Sequence, residues 1–279
     1  MNQRNIARIS SGFALNIFVA AASVVCLFPF LWMISSSLKT KEEFAVDILS
    51  LPINLHWENY LNAFRIGEMD KYLLNSLFVS GVSLVLLMIL AFLASYVLAR
   101  TRSKAIAFVS VVLISGMLIP VHGFLIPIFL LFKNAGLLNS RITLIFPYIA
   151  FGLSLAIFLL SSYMKNIPNE MEEAAFMDGA TIGQTLVSIV LPMSAPALGT
   201  TVILSFLNMW NEFPFALVLL SSRELKTLPI GLTNFSGQFT SNYPLLMAGL
   251  IIALLPILIL YLCTYKTIMK GMVAGALKG

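Results

Sequence analysis

Apolar residues in this chain gather in six long stretches, not in the short alternations or the three-and-four spacings of a water-soluble core. They cover about 13–34, 72–99, 105–132, 142–163, 196–220 and 244–266. About 20 helical residues cross the hydrocarbon core of a bilayer, where every backbone N–H and C=O must be satisfied within the protein. Each stretch therefore predicts a membrane-spanning helix, and the chain as a whole predicts a single all-α integral membrane domain over residues 1–279. The first stretch follows Arg4 and Arg8, is too long for the apolar part of a secretory signal, and has no small-x-small cleavage pattern behind it. An uncleaved first span is expected.

The intervening segments differ in character. Residues 35–71 are long and polar, with Glu42, Glu43, Asp47, Glu58, Glu68 and Asp70; residues 100–104 form a short basic hairpin, and 133–141 another short loop. Residues 164–195 are long and amphipathic, 221–243 form a second polar loop, and 267–279 a basic tail. An even number of spans puts both termini on one side. Nine Lys and Arg residues fall on that side and eight on the other, so the positive-inside count is nearly silent. The dense cluster Arg100, Arg102 and Lys104 abuts span ends and favours cytoplasmic termini. Prolines at 29, 120, 127, 214 and 256 punctuate the spans. The third span holds Pro120, His122, Gly123 and Pro127 close together, which predicts irregular backbone beside a polar side chain.

Composition strengthens this picture: 59% of residues are hydrophobic and 10% charged, against about 25% charged in soluble domains. The net charge of +5 is spread thinly, which argues for span anchors and against a nucleic-acid surface. Cys26 and Cys263 lie in apolar runs and read as buried small hydrophobes, not as a disulfide or metal pair. There is no HExxH, no GxSxG and no Walker A loop, so neither hydrolytic chemistry nor a bound cofactor is expected on this chain. His56 and His122 are too far apart in sequence to suggest a metal site. An ion-coupled secondary transporter or channel, the alternative class, would need acidic or histidine relays in several spans; only Glu212 and His122 qualify.

The stretch from Asn166 to Pro192 reads as two short helices joined by a turn. Pro168 suits a first helical turn, and Glu170, Glu172 and Glu173 suit its positive end. Asp178-Gly179 supplies the turn. Thr181 with Gln184 makes a capping box for the second helix, and Pro192 discourages its continuation. Ala174 and Ala175 leave a flat face for close approach of another protein surface. A helix lying on lipid headgroups would carry basic residues, and this one carries acids instead. Within the fifth span, an unpaired Glu212 would cost about 2.5–3.5 kcal/mol, so it should face the bundle interior or an aqueous cavity. It reads either as a pathway or gate position, grouped with Asn208, Trp210, Asn211 and His122, or as part of a structural Asn211/Glu212 cluster at a helix break.

Glu173-Ala174-Ala175, then Gly179, Ile189, Leu191 and Pro192 at their spacings, resemble the EAA signature of binding-protein-dependent ABC importer permeases. Asn75-Ser76, Gly136-Leu137, Pro147-Tyr148, Trp210-Asn211-Glu212-Phe213, Leu228-Pro229 and the tail from Gly275 to Gly279 resemble the carbohydrate-uptake branch, most closely its MalG-like member. The resemblance implies a type I importer permease fold in a bacterial cell membrane, with cytoplasmic coupling helices. Glu173, Ala174, Ala175, Asp178, Gly179, Ile189, Leu191 and Pro192 would then couple to the ATPase. It further implies a homologous MalF-like permease, two ATPase subunits carrying ATP and Mg, an extracytoplasmic solute-binding protein, and a sugar substrate; in the pathway reading of the Glu212 group, Trp210 offers that sugar a stacking face. Ala276, Leu277, Lys278 and Gly279 would reach toward the ATPase. His122 and its surroundings match no feature of the family.

Overall fold

The computed structural model describes the backbone of residues 3–235 and 242–276 and the side chains of residues 15–235 and 242–269. Leu277, Lys278 and Gly279, expected at the ATPase, lie outside the described residues, as does the side chain of Ala276. Among the described residues all regular structure is helical. Among the described residues four helices are long and apolar enough to cross a membrane, and two further helix pairs, each sharply bent, raise the number to six if each pair is one span. The chain divides into two compact units, Met1–Met69 with Leu232–Ala253 and Asp70–Gly231 with Leu254–Gly279.

The first unit contains α1 (Gln3–Ser37), α2 (Lys41–Val46) and α3 (Glu58–Arg65). None of the apolar window of α1 is buried within the chain, so its side chains are left for lipid or another subunit. The polar segment behind it is well organised. Thr40 and Glu43 form a reciprocal capping box that opens α2. Lys39, one of the eight basic residues counted on the side opposite the termini, is fully buried. Its ammonium donates to the carbonyls of Asp47 at 3.0 Å and Ile48 at 3.1 Å and to Ser50 Oγ at 3.2 Å, which spends all three of its protons. Trp32 Nε1 donates to the same Ile48 carbonyl.

The second unit is built around α7 (Ile145–Met164), which packs against α5 (Lys104–Ser115) and α11 (Ala195–Trp210). It also meets α4 (Met69–Arg100) through small groups: Ser95 Oγ donates to Ile157 O, and Gly152 lies against Leu87. In lipid, association of helices depends on such close packing more than on hydrophobic transfer. Cys26 and Cys263 are free and exposed on this chain; the expected burial fails because both face outward from α1 and from α14 (Tyr243–Ala276).

Proline chemistry explains the bends. α5 gives way to a 3-10 turn at Gly116–Leu118, an extended Ile119, a second 3-10 turn at Val121–Phe124, and then α6 (Leu125–Asn134), with a bend of 89°. Pro120 disfavours helical backbone at Ile119, whereas Pro127 sits in the first turn of α6, where no N–H partner is needed. In the fifth apolar stretch, α11 ends at Trp210 and α12 (Pro214–Leu219) starts afresh after Asn211–Phe213.

Candidate functional site

The segment with the EAA-like pattern folds as α8 (Glu170–Met177), a turn, and α9 (Ile182–Thr185). Gly179 takes a φ of +83°. Its N–H bonds to Phe176 O, and the N–H of Ala180 to Ala175 O. This is the Schellman arrangement, in which the residue just past the helix must be left-handed and glycine is the least strained choice. Gly136 ends α6 in the same way, at φ +68°. Thr181 and Gln184 form the reciprocal box that opens α9.

Pro192 acts earlier than its position suggests. The backbone widens into a π turn at Leu186–Val190, with the Leu191 N–H reaching back to Leu186 O. A proline at 192 has no N–H for the regular ladder and its ring crowds the carbonyl four residues back, which a widened turn relieves. The helix then runs through α10 (Leu191–Met193), and the pair Ile182–Met193 and Ala195–Trp210 is bent by 75°.

Side chains in α8 divide sharply. Glu173 and Ala174 are exposed and Ala175 is half-buried, with Met171, Phe176 and Met177 exposed among them; Met177 reaches 87%. Ile182 and Val187 extend this apolar surface beyond the turn, Ile189 is half-buried, and Leu191 and Pro192 are exposed. Apolar patches of this kind occur at surfaces that meet another protein or the membrane. Glu172 points the other way and is only 4% exposed.

Glu172 is held by Arg100, which the sequence marks only as a basic residue at a span end, and by Tyr96, which sequence patterns did not single out. Arg100, the last residue of α4, donates from Nε to Glu172 Oε1 at 2.7 Å, and its Nη2 lies 2.6 Å from the same oxygen. Tyr96 donates its hydroxyl to Oε2 at 2.9 Å. Arg100 Nη1 also donates to Met164 O, at the end of α7, where a cation complements the helix dipole. Removing one partner of such a buried pair typically costs about 3–5 kcal/mol. The available signal was the four-residue spacing of Tyr96 and Arg100, which places them on one face of α4. Nothing in the sequence distinguishes Glu172 from Glu170 or Glu173 as their partner.

A second candidate site is a cavity of 520 Å³ whose lining includes His122, Tyr148, Phe151, Asn208, Asn211 and Glu212. Phe151 stacks on Phe215 with centroids 5.6 Å apart, giving the cavity an aromatic wall. Glu212 serves the helix break. Its Oε1 accepts from Phe215 N at 2.6 Å, and Oε2 from Ala216 N at 3.1 Å and Tyr148 OH at 3.0 Å. These are the orphan N–H groups of the first turn of α12, so the carboxylate caps a helix inside the membrane segment. Trp210 does not line the cavity: it is 3% exposed and stacks on Phe206 at 5.2 Å. The structure thus brings His122, Asn208, Asn211 and Glu212 together and leaves Trp210 aside.

At the opposite end of α4, Asn75 donates to the carbonyls of Glu224 at 2.7 Å and Lys226 at 3.1 Å, and Ser76 Oγ accepts from Leu228 N. Asn139, at a positive φ of 56°, accepts from the N–H groups of Ser221 and Ser222. Two buried or half-buried amides therefore pin the loop that follows α12.

The chain is 34% identical over 265 residues to the sulfoquinovosyl glycerol transport system permease protein SmoH of Agrobacterium fabrum, covering 94% of this chain and 93% of that one. It is 32% identical over 260 residues to the trehalose/maltose transport system permease protein MalG of Thermococcus litoralis, covering 92% and 93%. A chain from the crystal structure of a bacterial ABC transporter involved in import of the acidic polysaccharide alginate superposes with a TM-score of 0.78 at 23% identity, over 95% of this chain and 98% of that one. Residues 88–270 match the family of binding-protein-dependent transport system inner membrane components. The chain belongs to that family and is a multi-pass membrane permease of an ABC importer with the type I fold.

Proposed function

We propose that this permease forms half of the membrane pathway for a sugar or oligosaccharide, and that α8 and α9 are the element through which a separate ATPase drives it. The observation that carries this reading is the face formed by exposed Glu173 and Ala174 and half-buried Ala175, set beside a turn held by Gly179 at φ +83°. Flat small residues ringed by Met171, Phe176 and Met177 suit a protein cleft better than lipid. The sugar class rests on relatives whose names specify sulfoquinovosyl glycerol and trehalose/maltose.

In this reading residues 1–279 are one permease domain of six spans, at about 13–34, 72–99, 105–132, 142–163, 196–220 and 244–266, with residues 164–195 outside the membrane and both termini in the cytoplasm. ATP and Mg are held by two partner ATPase subunits, this chain having no Walker A loop. A homologous second permease of MalF-like type completes the pathway, and an extracytoplasmic solute-binding protein delivers the solute. His122, Asn208, Asn211 and Glu212 face that pathway, with Glu212 also setting the break at which it opens. The tail from Ala276 to Gly279 reaches the ATPase pair, so its deletion should lower stimulated hydrolysis in the assembled complex.

Cysteine crosslinking tests the docking directly. A cysteine at Ala175, in a chain whose Cys26 and Cys263 are serine, should form a nucleotide-sensitive crosslink to the ATPase subunit. Crosslinking to lipid-directed reagents alone would contradict the reading.

A further inference from the structure

We propose that Arg100, Glu172 and Tyr96 form a lock that makes α8 and the cytoplasmic end of α4 move as one body, so that displacement of α8 is delivered into the membrane helices. The inference rests on α8 being the docking element, and it adds the route by which force leaves that element. The three side chains are positioning residues; none of them belongs to the exposed face.

The geometry favours a rigid joint. One guanidinium meets three elements at once: it belongs to α4, pairs with Glu172 of α8 through Nε and Nη2, and donates from Nη1 to the last carbonyl of α7. The guanidinium is planar, so its hydrogen bonds from Nε at 2.7 Å and Nη1 at 3.0 Å fix its orientation as well as its position, while Nη2, 2.6 Å from Oε1, adds an ion-pair contact without a hydrogen bond. Tyr96 occupies the remaining carboxylate oxygen from one turn earlier on α4. Glu172 is thus held from two points on one helix face, which restrains rotation of α8 as well as its departure. The side chains of Arg100 and Glu172 are 14% and 6% exposed, so water screens the pair weakly.

The covalent link alone would not do this. Between α7 and α8 lie only Lys165 to Asn169, and between α8 and α9 the Gly179 turn. These connections tether α8 without fixing its angle to α4, which lies more than sixty residues earlier in the sequence. The lock is the polar contact between α4 and α8, so a load on α8 reaches α4 through it.

The test uses the complete transporter, purified with its ATPase subunits and reconstituted in proteoliposomes. Spin labels at Val97 of α4 and Glu170 of α8, both exposed and both outside the docking face, replace the native side chains in a chain whose Cys26 and Cys263 are serine. The lock predicts the same label-to-label distance in the nucleotide-free and nucleotide-trapped states. In Glu172→Gln that distribution should broaden or shift on trapping. The ATPase should still crosslink to a cysteine at Ala175 and keep its unstimulated hydrolysis, while uptake per ATP falls at least roughly fivefold, the low end of typical coupling factors. Arg100→Lys, which keeps the charge but loses the fork, should lie between the two.

A wild-type distance that shifts on trapping beyond the width of its resting distribution overturns the lock, and this outcome requires no variant to fold. Normal uptake per ATP in Glu172→Gln overturns it as well. Loss of the Ala175 crosslink in the wild-type chain would instead remove the docking reading, and the lock with it.

Discussion

Tyr148 and Glu212, 64 residues apart, are joined by a 3.0 Å hydrogen bond from the tyrosine hydroxyl to a carboxylate oxygen. The same carboxylate accepts two backbone N–H groups at the start of α12. A charge that the membrane would otherwise reject becomes the keystone of a helix break, fixed to α7 at one side and to α12 at the other.

Unequal losses at these two positions follow. Tyr148→Phe removes one hydrogen bond to a charged group, worth about 1.5–3 kcal/mol. Glu212→Ala removes a cap, worth about 0.5–2 kcal/mol by itself, and also strands the buried Tyr148 hydroxyl. Thermal unfolding in detergent should therefore place Glu212→Ala below Tyr148→Phe. The reverse order would mean that the carboxylate is not what holds the break.

The polar clamp on the loop after α12 gives a second expectation. Asn75→Ala removes two hydrogen bonds, to the carbonyls of Glu224 and Lys226, each typically worth about 0.5–1.5 kcal/mol. Limited proteolysis should cut within residues 221–228 faster in this variant than in the parent. Equal rates would show that Ser76 and Asn139 hold the loop without Asn75.

Topology is tested by labelling sealed cells. With the native cysteines replaced by serine, a cysteine at Asp47 should react with an impermeant reagent from outside, and one at Gln184 only after the membrane is opened. Equal labelling of both from outside would contradict the six-span arrangement.

Much of the fold was legible because the bilayer imposes a length rule: apolar runs of about 20 residues stand out whatever their neighbours. Local chemistry was legible too. Gly179 sits in a left-handed helix end, and Thr181 with Gln184 makes its box, because both devices are written within a few consecutive residues. What escaped was everything decided by distant partners. Arg100 and Glu172 look like an anchor and one acid among several until the fold brings them together. Lys39 looks like a surface cation until the carbonyls of Asp47 and Ile48 surround it. Trp210 escapes for a different reason: it looks like a pathway aromatic beside Asn211 and Glu212, yet it stacks on Phe206 one turn earlier in its own helix, a local contact that its neighbours in sequence do not announce. The π turn before Pro192 illustrates a further limit: proline announces that the ladder must break, without saying on which side the backbone will yield.

The account depends most on α8 and α9 as the coupling element, and the direct measurement is binding-protein-stimulated ATP hydrolysis together with uptake in proteoliposomes. The variants are Ala175→Trp, which holds the docking face away, and Gly179→Val, which places a β-branched residue at φ +83°. Neither lies in an apolar span, so both should insert and reach wild-type membrane levels. The account predicts that both lose stimulation by the solute-binding protein, and that uptake falls by a larger factor than unstimulated hydrolysis. Wild-type stimulation and uptake in both variants, at matched membrane levels, would contradict it.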